Sequence, residues 1–585
     1  MKKVINTAIN GAKRYMFGIL ICSLVTSFFA IHLTKYISYI IDGVIKQTMD
    51  LPPYIKRSFF IDSTEGKLFV LVIYMIVLVL IISIANYIKN IFNTKFRLTM
   101  NKNLKSELLN HATYLEYKEY IKYGKSQILQ RIGSDSNNFI EFVSSKYNLI
   151  LDSIFTLIFS IYEITNLNII ISISIMCIVF IIAIMSIIYF KLTKPIVNKN
   201  IELHEKLIST TMNAIYNPKM IKIFNREEKE IENFNKISEK YRKNDKKLID
   251  YLIYYELIAS GIRKLKNPII FLICGLLIVN GKMNIGALVV LMSYSTNLLN
   301  YIVQIMYAIE GINEFLVPTN RINNFLKLYE EAKEQKKITL NEISLEFINV
   351  TIKINKTEIV SNISFKISKG QTIFLVGNNG AGKSMIIKVL LGFIPYEGTI
   401  LLGGIDIQTL NKKTLRKCIG VVFQEPYIIS DTVKNNIDMF DEFDLNDVEE
   451  IAKLCQIHEE IEKFPDKYSE LLGDRGTKLS GGQKQRISIA RTLIQNNPII
   501  IFDDVLSKID NITKEKIVNN LKQFNKQKIT IYITQELDKI PNDLMVFFLD
   551  KGKIVMGKQI NLINRNENYN KLISICNNMI GENYD

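Results

Sequence analysis

Glycine and proline are scarce in this 585-residue chain, at 27 and 11 residues. That excludes collagen-like repetition and low-complexity disorder, which need those residues in quantity. Cysteine is scarce too. Cys22, Cys177, Cys274, Cys418, Cys455 and Cys576 nowhere form a CxxC pair, and all read as reduced. Zinc and thiol-redox motifs are thereby excluded. The amino terminus lacks the short apolar core and small-residue cleavage site of a secretory signal. Lys2, Lys3, Lys13 and Arg14 instead precede a long apolar stretch, which reads as an uncleaved anchor. No internal repeat is visible.

What is present points to a membrane. The chain is 48% hydrophobic and still 22% charged, with a mean hydropathy of +0.14. That is too apolar for an ordinary soluble enzyme and too charged for a simple pore. Its length suggests two to four domains of roughly 100–200 residues. The net charge of +16 is unevenly spread: residues 1–336 carry 41 basic and 26 acidic side chains, and residues 337–585 carry 32 and 31. A basic excess suits nucleic acid or a membrane surface, and its placement decides between them.

Six apolar runs stand at about 15–38, 67–88, 147–165, 168–190, 258–280 and 285–309. A bilayer core of about 30 Å needs about 20 helical residues, so each reads as a span. The third contains Asp152 and Glu163, and the fifth carries Arg263, Lys264 and Lys266 near one end. Lys and Arg crowd segments 89–146 and 191–247, whereas the short links at 165–168 and 280–284 hold only Lys282. Positive charge stays inside, so both termini and both long loops are expected in the cytoplasm, with the chain in the cell membrane. The long loops read as helices running beyond the bilayer. The basic stripe flanks apolar spans, so nucleic acid is not expected as a partner.

After Glu310 the pattern changes. Residues 319–337 read as a charged helical linker, and from 343 short β-branched runs alternate with glycine turns and helices. That alternation predicts an α/β domain with a largely parallel sheet. The expected fold is an all-α six-helix transmembrane domain at 1–328, a linker at 329–342, and an α/β P-loop NTPase domain at 343–585.

Three motifs carry the chemistry. The strand at 372–376 runs into Gly377, Asn378, Asn379, Gly380, Ala381, Gly382, Lys383 and Ser384, a GxxxxGK[ST] loop between strand and helix. Its backbone N–H groups suit phosphate oxygens, with Lys383 on the β- and γ-phosphates and Ser384 on Mg²⁺. The apolar run 498–502 ends in Asp503 and Asp504, and a strand ending in a carboxylate holds Mg²⁺ beside such a loop. Leu479, Ser480, Gly481, Gly482 and Gln483 open a further helix, a second anion site by its N-terminal amides.

Together these resemble the ATP-binding cassette family, for which LSGGQ before a helix is the signature. The resemblance implies ATP and Mg²⁺ as cofactors, with Gln424 as the Q-loop residue and Ser384, Gln424 and Asp503 on the metal. Ser507 and Asp510 match the D-loop. Segments 123–135 and 213–224 look like the two cytoplasmic coupling loops of the six-span exporter branch, and the chain resembles that branch over about 15–575. The family's cassettes pair head to tail, each ATP lying between one P-loop and the other signature.

Three positions depart from the family. Asp504 stands where a Glu usually positions the attacking water, Gln535 where a switch His usually stands, and Ile354 where an aromatic stacks on adenine. The resemblance therefore implies an ATPase coupled to transmembrane transport, with hydrolysis impaired at this chain's own site. A second half-transporter as heterodimer partner is favoured over a homodimer. The cargo is not readable beyond a drug, lipid or peptide. The alternative is a nucleotide-sensing membrane complex without transport.

Overall fold

The computed structural model describes residues 2–46, 63–331, 342–354, 357–535, 537 and 540–581. They form two compact units, Met1–Thr113 with Lys125–Leu328, and Tyr114–Gly124 with Tyr329–Asp585.

The first unit is helical. Its long helices are Lys13–Ser38, Thr64–Tyr114, Ser136–Leu167, Ile169–Tyr216, Glu227–Val279 and Ile285–Glu310. At 1.5 Å per residue the 51-residue Thr64–Tyr114 is about 77 Å long, more than twice a bilayer core. Among the described residues, five helical stretches are long and apolar enough to cross a membrane: Lys13–Ile45, Thr64–Tyr114, Lys125–Leu167, Ile169–Tyr216 and Ile285–Met306. The expected span at 258–280 is not among them. It falls in the last part of Glu227–Val279, which continues unbroken through Pro268.

Polar side chains tie these helices together. Lys35 pairs with Glu163 at 3.0 Å, and Lys89 with Asp152 at 3.0 Å. Past Ser38 the first helix widens into a π-helical turn, Tyr39–Ile45, which carries the buried Asp42. The Asp42 carboxylate accepts from the Gly286 N–H at 2.8 Å. A Cβ on Gly286 would overlap that carboxylate, so the approach requires glycine. Asn168 caps Ile169–Tyr216 by accepting from the Ile170 and Ile171 amides.

The second unit holds two sheets. Strands β1 (Ser344–Ile354), β2 (Thr357–Ser368), β4 (Glu397–Leu402) and β5 (Ile405–Asp406) form one in the order β2-β1-β4-β5. Its pairings are antiparallel. Strands β3 (Thr372–Gly377), β6 (Ile419–Val422), β7 (Ile499–Asp503), β8 (Ile529–Ile533), β9 (Met545–Asp550) and β10 (Lys553–Lys558) form the other, ordered β10-β9-β3-β8-β7-β6. Only its β10–β9 pairing is antiparallel. The parallel strands read as near-continuous apolar runs because helices cover both faces. The antiparallel sheet was not foreseen, since its strands carry no motif.

The helical reading of 319–337 holds only as far as Phe325. The helix of this region, Ile312–Phe325, ends at Phe325. Glu330 forms an antiparallel bridge with Leu115, and residues 332–341 lie outside the described set. The short helix Tyr117–Tyr123 belongs to this unit, with Tyr117 stacked on Phe393 at 4.2 Å between ring centroids.

Candidate functional site

The loop between β3 and the helix Lys383–Leu390 folds around its glycines. Gly382 has φ of 106°, and a Cβ there would lie 2.8 Å from a Val360 methyl, so the turn admits no side chain. The Lys383 ammonium donates to the Gly377 and Asn378 carbonyls at 2.6 and 3.1 Å. Its side chain is thus folded back along the loop, and burial pushes its pKa down against the pull of Asp503 and Asp504.

Asp503 ends β7, where burial, and then the neighbouring Asp504, push its carboxyl up, with Lys383 opposing. Asp504 sits in the left-handed region at φ 50° and ψ 38°, its amide donating to the Ile533 carbonyl at 2.8 Å. Gln424 donates its amide N–H to an Asp504 carboxylate oxygen at 3.2 Å. Its carbonyl oxygen therefore points away from that bond.

A cleft of about 310 Å³ gathers these groups. Asn379, Gly380, Ala381, Gly382, Lys383 and Ser384 line it, and so do Gln424, Asp503, Asp504, Gln535 and Ile354. Gly377 and Asn378 stand beside it as the carbonyl partners of Lys383. Residues 480–483 are not among its lining. The cleft also takes Ile359, Met385, Ile533 and Thr534, which the motifs did not indicate. Ile359 lies on β2, whose place beside the loop no local pattern announces. Two carboxylates facing one ammonium favour an added cation. The oxygens of Asp503, Ser384 and Gln424 suit a hard one, which prefers oxygen ligands. Among the described residues no group of three His, Cys, Asp or Glu is assembled, so such an ion would lean on phosphate oxygens.

Ser480 caps the helix Gly481–Ile494 through a reciprocal capping box. Its hydroxyl accepts from the Gln483 amide at 3.2 Å, and the Gln483 side-chain oxygen accepts from the Ser480 amide at 2.8 Å. Gln483 also donates to Glu460 at 2.7 Å, and Glu460 pairs with Arg486 at 2.7 Å. Asp510 caps the helix Asn511–Phe524 on the Thr513 amide at 2.9 Å, which holds its carboxyl low. The side chain of Ser507 lies outside the described residues.

The fold and site define a P-loop nucleotide-hydrolysing unit carried by a bundle of membrane-length helices. Residues 360–507 match the ABC transporter family, and residues 16–303 match the ABC transporter transmembrane region. The chain belongs to the ABC transporters, as an exporter-type half-transporter whose ATPase activity is coupled to export. It is 28% identical over 86% of its length, and 88% of the relative's, to a Rickettsia typhi protein named for an export ATP-binding/permease role. It is 28% identical to the mitochondrial iron-sulfur clusters transporter of Danio rerio over 59% of this chain and 48% of that one. Among solved structures, a bacterial Atm1-family ABC exporter with ATP bound shares the fold, at a TM-score of 0.82 and 21% identity. That match covers 97% of this chain and 98% of the other.

Proposed function

We propose that this chain is the catalytically weak half of a heterodimeric exporter, moving a drug, lipid or peptide out of the cytoplasm. Asp503, Ser384 and Gln424 hold Mg²⁺ in its own site, and both termini are cytoplasmic. One observation carries the reading: a well-formed Lys383 cradle and a fully capped Ser480 coexist with Asp504 and Gln535 in the hydrolytic positions. Asp is one methylene shorter than Glu, so its carboxylate falls short of an attacking water. It is also engaged by Gln424. Gln535 can donate a hydrogen bond but cannot become cationic. The loss of a positioned base costs about 10²–10⁴ in rate.

In this reading the chain binds ATP with little turnover and lends Ser480 to Gln483 to a competent site on its partner. The test is ATPase activity of the purified chain alone and with a candidate partner. Asp504→Asn should leave activity of the pair nearly unchanged, whereas Ser480→Arg should abolish it. Fast, saturable turnover by this chain alone would overturn the proposal.

A further inference from the structure

Three charged pairs tie the long helices: Lys35 with Glu163, Lys89 with Asp152 and Arg263 with Glu256. Lys266, on the helix Glu227–Val279, has no such partner. It is 4% exposed. Among the described residues its ammonium meets no carboxylate and is bonded only to the Thr296 hydroxyl. That hydroxyl already donates to the Met292 carbonyl at 2.7 Å, so it accepts from Lys266. An ammonium has three N–H donors, which leaves two unspent.

Depth makes this charge costly. Thr296 stands eleven residues from Ile285 and ten from Met306, the ends of an apolar span. At 1.5 Å per residue it is about 15–16 Å from either end, so the ammonium lies near the middle of a bilayer core. Ionisable groups at that depth mark the paths of substrates or ions. Thr296 is itself exposed, and so are Asn300 and Gln304 at the next two turns of Ile285–Glu310. A polar line on an apolar span suits a cavity and not lipid. Arg263 stands one turn before Lys266, and its carboxylate partner Glu256 is ten residues from Lys266. Positive charge is thus in excess behind this line.

We propose that Lys266 is the counter-charge for the cargo, a small organic anion carrying a carboxylate, sulfonate or phosphate. This rests on the reading of the chain as one half of an exporter and narrows its cargo. The flexible lysine stem turns the ammonium past Thr296 onto the exposed face. The anion's oxygens take the two unspent N–H groups, and Thr296 and Asn300 flank them.

The chain contains no tryptophan, so Gln304→Trp places a lone fluorophore two turns from Thr296. The probes are pyrenebutyrate and pyrenebutyltrimethylammonium, which share a ring and a linker and differ in the sign of the head. Each is added to the full chain in phosphatidylcholine nanodiscs without nucleotide, and energy transfer from tryptophan to pyrene is read. The expected result is saturable transfer with the anion, at one site per chain and at least about tenfold tighter than with the cation. Lys266→Met should lower anion affinity about tenfold and erase the preference, whereas Lys266→Arg should keep both. Lys266→Gln repeats the test should the methionine variant fail to fold. Equal affinity for the two probes, transfer that only rises linearly with probe, or an unchanged preference in the neutral variant would each overturn the proposal. So would lost pairing with the candidate partner at unchanged probe affinity, which would make the counter-charge a carboxylate of the partner. ATP turnover is not read, so fast turnover by this chain alone would overturn the weak-half reading and leave the cargo site standing.

Discussion

In the proposed reading Asp504 is one methylene shorter than a Glu and Gln535 lacks the titratable ring of a His, and each difference can be reversed singly. Asp504→Glu with Gln535→His should raise turnover of the isolated chain by about 10²-fold or more, read as phosphate release at saturating Mg-ATP. Lys528 makes a prediction of another kind. Its ammonium is buried without a hydrogen-bond partner, 4.0 Å over the Phe524 ring, and burial pushes its pKa down to about 8. The unfolded value is about 10.4. Below about 8 the lysine is charged in both states and burial disfavours the fold. Between about 8 and about 10.4 the folded form releases a proton that the unfolded form keeps, so stability rises with pH in that window. Lys528→Met should raise the thermal midpoint of the cassette by about 2–4 °C at pH 7 and flatten that rise. A lower midpoint would count against it. The glycine loop between β3 and the helix Lys383–Leu390 was legible because a glycine-rich turn after a strand admits few other structures. Lys528 was not, since its burial depends on the sheet it packs against.

At the scale of elements, polar side chains decide how helices meet. Asp152 and Glu163 were visible as charges inside an apolar run. Their partners, Lys89 and Lys35, lie 63 and 128 residues away in sequence. No local period announces such a pair, because the helices that carry it meet only after packing. Asp152→Asn should leave Lys89 without its counter-charge and cost about 1–3 kcal/mol. That is less than for a fully buried pair, since Asp152 keeps 28% of its side-chain exposure. Loss of thermal stability in detergent, restored by Lys89→Met in the same chain, is the expected pattern. The signature helix offers a second case. Glu460 holds both Gln483 and Arg486, so Glu460→Ala should loosen the start of Gly481–Ile494. The expected readout is faster amide exchange at 481–486 with ATP binding to the Lys383 loop retained.

For the whole molecule, the proposal of a shared catalytic cycle has a separate physical signature. Co-purified with a partner that carries Glu and His at the two unusual positions, the chain should retain ATP in its own site through many turnovers of the other. Nucleotide trapping would show one occluded ATP per pair. Protease sites placed at both ends should be cut from the cytoplasmic side only, as the placement of Lys and Arg requires.

The sequence alone marked out a membrane half and an ATP half, which the two family matches bear out, and the motifs on which the proposed phosphate loop, signature and irregular positions rest. These are local or periodic properties. A span is a run of apolar residues long enough for a bilayer, and a phosphate loop is a glycine turn between a strand and a helix. Tertiary structure alone decided which distant residues meet. It set Gln424 against Asp504, Ile359 beside the phosphate loop, and the Phe374, Tyr532 and Phe502 rings on one face of three strands. It also left Asn525 and Thr530 buried without partners. Parallel pairing joins strands far apart in the chain through crossovers, so its cross-strand neighbours are set by sheet order and register. Neither is written in any short stretch of sequence.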